Sequence, residues 1–102
     1  MRAIRYIPCT IKRGGFSSER VFTIPLGKGE EVIVGCSDTH HIRDSAWNRI
    51  PDKPVNESPV SGYVKCKVLK IESGRVLVEV PSRHIFTVDE SLLVDDPNGG
   101  VE

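Results

Sequence analysis

The sequence predicts an all-β fold: a small SH3-like or OB-like barrel of five to seven short antiparallel strands, with one short helical turn and a long central loop. Three observations predict it. Of the 39 apolar residues, 13 are Val and 9 are Ile, against 7 for Leu and Ala together, and β-branched side chains suit a pleated, half-buried surface. Apolar and polar residues alternate in several short runs, the period of a strand with one buried face. Glycine-bearing turns punctuate those runs. At 102 residues the chain is read as a single β-barrel domain over 1–102, because that length supports one core and little more. Strands this short need closure to hide their edges, and closure means a barrel.

The first strand is placed over Ala3 to Lys12, with Ile7, Cys9 and Ile11 on one side and Tyr6, Pro8 and Thr10 on the other. Pro8 marks it as an edge or bulged strand, since proline offers no N–H to a ladder. A turn-rich stretch, Arg13 to Ser18, leads into a second strand, Glu19 to Leu26, in which Phe22, Ile24 and Leu26 share a face. If Gly27-Lys28-Gly29 forms a three-residue hairpin loop, Ile24 lies opposite Val32 and Phe22 opposite Val34. A second hairpin joins Gly62–Ile71 to Arg75–Val80 through Glu72-Ser73-Gly74. It sets Val68 against Val78 and Cys66 against Val80 inside, and Lys67 against Glu79 outside, so apolar and charge patterns agree on one register. A last strand spans His84 to Val88. Asp89 to Leu93 reads as a single capped helical or 3₁₀ turn before a short strand at Val94. Residues 37–60, with Pro51, Pro54 and Pro59 and no sustained period, form the long loop or insertion, and 95–102 a flexible tail.

Charge balances, with 14 Lys and Arg against 14 Asp and Glu, which removes a global attraction to nucleic acid or an anionic membrane. Met1 to Tyr6 is not followed by the apolar stretch of a secretory signal, and no apolar run approaches the roughly 20 residues that span a bilayer. A soluble, cytoplasmic protein with no membrane partner is the expectation. Cys9, Cys36 and Cys66 are odd in number and sit inside alternating apolar runs, which predicts buried free thiols rather than a disulfide framework.

The stretch Val32-Ile33-Val34-Gly35-Cys36-Ser37-Asp38-Thr39-His40 is an apolar strand ending in Asp-x-His. It resembles the first metal-binding motif of calcineurin-like metallophosphoesterases, whose strand presents Asp and His to a dinuclear metal centre. The resemblance covers these residues alone and implies metal-dependent hydrolysis with Asp38 and His40 as ligands. The chain has no downstream Gly-Asp, Gly-Asn-His-Asp/Glu or Gly-His-x-His motif for the remaining ligands, so a strand end running into a polar loop is expected. A simpler metal site could draw on Cys36, Asp38, His40, His41 and Asp44, because ligands two apart on a strand point to one side. No Cys-x-x-Cys or His-x-x-x-His clip accompanies it. A Cys36 nucleophile would need a polar, positive setting that apolar runs do not offer. No catalytic residue, metal or cofactor is therefore assigned.

Trp47, the only tryptophan, falls near Ile42, Ala46 and Ile50 and is expected to plug a barrel mouth; exposed, it would anchor a partner. A Tudor-like methyl-lysine cage would need several converging aromatics, and the six in this chain are scattered along it. A basic strand face offers another reading: Tyr63, Lys65 and Lys67 alternate on one strand while Arg5 and Lys12 punctuate the first. Cations for phosphates beside a ring for stacking are what single-strand binders use. The plainer account of the same lysines is a solvated face that blunts edge pairing. The sequence thus predicts a noncatalytic binding or accessory module rather than an enzyme. A protein partner would be met by Trp47, His40, His41 and Tyr63. The alternative is weak binding of single-stranded nucleic acid by Arg5, Lys12, Lys65 and Lys67. Oligomeric state is not encoded in these patterns.

Overall fold

The computed structural model describes residues 4–16, 18–27, 31–50 and 59–97. Seven strands form one antiparallel sheet that curls into a half-barrel: β1 (Ile4–Arg13), β2 (Glu19–Pro25), β3 (Val32–Asp38), β4 (Ile42–Asp44), β5 (Val60–Glu72), β6 (Arg75–Glu79) and β7 (Ile85–Asp89). Their order is β3-β2-β1-β5-β6-β7, with β4 added to β5. Two 3₁₀ turns, Thr39–His41 and Glu90–Leu92, are present where one helical turn was expected. No helix among the described residues is long and apolar enough to cross a membrane.

Alternation decides what the curl encloses. Ile7, Cys9 and Ile11 of β1, Phe22 and Ile24 of β2, Val64 and Cys66 of β5, and Val76, Val78 and Val80 at β6 all face inward and form one buried cluster with Ile42, Val88 and Leu93. Each fully buried aliphatic or aromatic side chain stabilises the fold by about 1.5–3 kcal/mol relative to exposure.

Two prolines explain how the sheet closes. The β1–β2 ladder runs from Arg13↔Arg20 to Thr10↔Thr23, and the next hydrogen-bonded pair along that register would set Pro8 against Pro25. Neither has an N–H, so the ladder cannot continue and β2 parts from β1 there. The row of β1 groups beyond the prolines is taken by the C-terminal segment. Tyr6 donates its N–H to the Val94 carbonyl (2.8 Å) and accepts from the Val94 N–H (2.9 Å). Pro8 is thus paired with Tyr63 of β5 on one side and locally an edge on the other.

Both hairpins depart from their expected loops, with different consequences. The β5–β6 turn has two residues, Ser73 and Gly74, at φ 52° and 80°, the left-handed pair that a tight primed turn requires. A bulge between Val68 and Lys70 restores the residue the shorter turn removes, so Val68↔Val78 and Lys67↔Glu79 pair as expected. The first hairpin is not rescued in this way. Its loop closes with the Leu26 N–H donating to the Glu31 carbonyl at 3.1 Å, and the register becomes Ile24↔Ile33 and Phe22↔Gly35. Val32 and Val34 therefore point outward, 48% and 52% exposed, rather than into the core. The reason lies at Gly35: a Cβ there would fall on the Ser82 side chain and on Cζ of Phe22. Only glycine fits where the β6–β7 turn presses on β3.

The central stretch is also more structured than a loop. It holds the end of β3, a 3₁₀ turn, β4 and a tight turn up to Ile50; residues 51–58 lie outside the described residues. Of the segment read as a tail, Asp95 meets Arg5 Nε at 2.7 Å, while 98–102 lie outside the described residues.

Candidate interaction surface

Asp44 builds the turn that holds Trp47. Its Oδ1 accepts from the Ala46 and Asn48 N–H groups, both at 2.9 Å. Its carbonyl accepts from the Trp47 N–H, and its own N–H donates to the Asn48 carbonyl, again at 2.9 Å. Within this clamp Trp47 sits at φ 68°, a left-handed backbone that costs a bulky residue on the order of 1–3 kcal/mol and persists only where the surroundings over-determine it.

The indole stacks on Tyr63, ring centroids 4.0 Å apart and 9° from parallel, and meets Tyr6 edge-on at 5.2 Å and 87°. The Arg43 guanidinium lies 5.6 Å from the Tyr6 centroid. Tyr6 and Tyr63 belong to the outward-facing rows of β1 and β5, so Trp47 covers the outer side of the sheet and does not plug a barrel mouth. Ile42 alone of its expected companions is fully buried in the core. Three aromatics do converge, which spacing along the chain concealed. Parallel rings 4.0 Å apart leave no room for an ammonium group between them, and the cluster is a packed stack rather than a cage.

From that stack an uncharged outer face runs across three strands. Pro8 is opposite Tyr63, Thr10 opposite Thr23, Thr23 opposite Val34 and Pro25 opposite Val32, with Val21 opposite Cys36 beyond them. Pro8, Pro25, Ser45, Ser61 and Tyr63 line a groove of about 250 Å³ where β1 and β2 part. Among the described residues, Arg43, paired with Tyr63, and Lys65, opposite Tyr6, flank the stack at one end, and Lys12, Glu19 and Asp38 bound the face at the other.

Asp38, His41, Lys65, Lys67, Glu79 and Arg83 surround a second, polar cleft of about 440 Å³. Asp38 caps the first 3₁₀ turn by accepting from the His40 N–H at 2.9 Å; its carboxylate is 3.5 Å from His40 Nδ1 and 4.0 Å from His41 Nε2. Burial lowers the pKa of His41 from its ordinary value, Asp38 opposes that shift, and Lys65, His40 and Arg43 add to it. Among the described residues no three His, Cys, Asp or Glu side chains gather as metal ligands. The basic residues read together from sequence are dispersed. Arg5 faces inward with Ile7 and Cys9, ion-paired with Asp95 and donating through Nη2 to the Leu93 carbonyl at 3.2 Å. Lys12 is at the opposite end of β1 from Ile4, the partner of Lys67. Lys65 and Lys67 remain neighbours, with Glu79 facing Lys67.

The cysteines divide as the register dictates. Cys9 and Cys66 are buried, whereas Cys36, expected to be buried too, is exposed on the outward row of β3. Burial pushes the Cys9 and Cys66 thiols up to about 12. In native protein one thiol should react rapidly with a disulfide reagent and the other two only on unfolding. The unfolded chain releases the two buried thiol protons near pH 9, while the folded chain holds them to about 12. Stability is therefore full below pH 9 and falls as pH rises toward 12. A thermal midpoint that stayed level across that range would contradict it.

Compared with protein-family models, curated proteins and solved structures, nothing matches this chain.

Proposed function

We propose that this chain is a noncatalytic binding module whose outer face recognises a polypeptide. The observation that carries the reading is the uncharged face running from the Trp47–Tyr63 stack across Pro8, Thr10, Pro25 and Thr23 to Val32 and Val34. Contiguous exposed apolar surface marks interaction sites, and half-buried Trp and Tyr are common energetic anchors within them. A strained backbone at Trp47, held by a dedicated carboxylate clamp, fits a side chain fixed in place for contact. The SH3-like form of the barrel fits better than the OB-like one: β1, β5, β6 and β7 follow in order, and a single 3₁₀ turn then brings Val94 back beside β1.

A random linear-peptide display selected on the immobilised chain tests this. Enriched peptides should lose about tenfold or more in affinity when Val34→Lys places a charge at the centre of the face, a change of about 1.4 kcal/mol or more. The thermal midpoint of the variant should hold within a few degrees, since Val34 is exposed. Peptides that bind the variant as well as the parent, or no enrichment at all, would remove the reading.

A further inference from the structure

We infer that the free edge of β3 captures an extended peptide strand with an apolar middle and basic ends, an inference that rests on the polypeptide-binding reading and specifies its mode. β3 ends the sheet order, and among the described residues no strand pairs with the side turned away from β2. The hydrogen bond from Leu26 N–H to the Glu31 carbonyl makes those two a bonded pair. Counting along the unbroken register, Ile24↔Ile33, Phe22↔Gly35 and Arg20↔Ser37 are bonded pairs too. The alternate residues Val32, Val34 and Cys36 then turn their N–H and C=O groups to the free edge. Pro25, which has no N–H, falls at a non-bonded position opposite Val32, in agreement with that count.

Natural edge strands are blunted by shortness, proline, lysine, bulges or a cover. β3 runs for seven residues with no proline, lysine or arginine, its register with β2 is unbroken, and Val32, Val34 and Cys36 stand exposed beside the edge. The other terminal strand, β7, is shorter and carries Asp89, bonded to Arg75 at 2.7 Å. β3 is thus the edge suited to strand addition, in which main-chain bonds supply affinity and alternate side chains supply specificity.

Charge selects the occupant. Glu31 precedes the strand, Asp38 ends it, and Glu19 is paired with Asp38. A second copy laid antiparallel about Gly35 would set Val32 opposite Asp38 and bring Glu31 of each copy beside Asp38 of the other, like charges at both ends. A strand with Lys or Arg at its ends, about seven residues apart, meets opposite charges instead, and β-branched residues between them would extend the Val32–Val34 row.

The test uses the full chain and three synthetic peptides: KVTVTVK, its acidic counterpart EVTVTVE, and KVTPTVK. The basic peptide should bind saturably and about tenfold or more tighter than the acidic one, and the proline peptide should not bind. Val34→Pro removes an edge donor without touching a β2–β3 bond, so it should fold and lose the basic peptide. Val34→Pro that folds and binds like the parent, while Val34→Lys loses binding, would overturn the edge mode and leave the face reading standing. Loss of binding in neither variant, or equal binding of the acidic peptide, overturns the inference. So would a dimer, seen by sedimentation, that Val34→Pro dissolves, because the edge would then belong to a second copy.

Discussion

Gly62→Ala is expected to cost about 3 kcal/mol and to release Trp47, although the change adds a single methyl group. A Cβ at Gly62 would fall on the Arg43 carbonyl oxygen and on Cδ1 of Ile11. The isoleucine can rotate, but the carbonyl belongs to the backbone of β4, which must lift from β5. β4 has three residues, one of them Asp44, which is paired with Gly62 and clamps the Trp47 turn. Overpacking in a tight site costs 1–3 kcal/mol, occasionally more, and the lost stack adds about 0.5–1.5 kcal/mol. At 4–8 °C per kcal/mol for a domain of this size, the thermal midpoint should fall by roughly 12–24 °C. Tryptophan emission should move to longer wavelength as Trp47 leaves Tyr63. Gly74→Ala is the comparison: nothing lies within 4 Å of a Cβ there, so it meets only the strain of a left-handed backbone, about 1 kcal/mol. An emission spectrum unchanged in Gly62→Ala would mean that β4 is not held by this close approach.

Phe22→Ala should remove about 3–5 kcal/mol, a large part of the 5–15 kcal/mol typical of a whole domain. Phe22 is 0% exposed, opposite Ile11 on one neighbour and Gly35 on the other, so truncation leaves a cavity that backbone on both sides prevents from collapsing. Phe16, 74% exposed, supplies the contrast, and Phe16→Ala should stay within about 0.5 kcal/mol of the parent. Because Phe22 Cζ is one of the atoms a Cβ at Gly35 would meet, Gly35→Ala should cost less in the Phe22→Ala background than alone. Denaturant titration of the four proteins measures that coupling, and simple additivity would show that Ser82, not Phe22, sets the space at Gly35.

The fold class was readable because valine and isoleucine alternate in runs that only a pleated surface rationalises. The β5–β6 hairpin was readable in register, though not in detail, since Lys67 and Glu79 identify each other across it whatever the turn and the Leu69 bulge do between them. The β2–β3 register was not. It depends on room for a glycine against Ser82, a contact 47 positions along the chain that no local pattern contains. The same distance effect hid the aromatic cluster. Trp47 and Tyr63 could each be singled out, but Tyr6 joins them only once β1 is laid against β5 and β4 against β5. Arg43 went unremarked for that reason. The inward turn of Arg5 had a local signal: it shares odd-numbered positions with Ile7, Cys9 and Ile11, the row that alternation assigns to the core.

The paired prolines set how one backbone is shared between two suitors. β2 and the segment around Val94 compete for the same flank of β1, and Pro8 with Pro25 draws the boundary between their territories. Shifted two residues toward Arg13, that boundary would shorten the hairpin's root and lengthen the terminal seam; shifted toward Ile4, it would let β2 zip onward and evict Val94. Where two imino acids fall thus sets how much of β1 each of the two neighbours can hold.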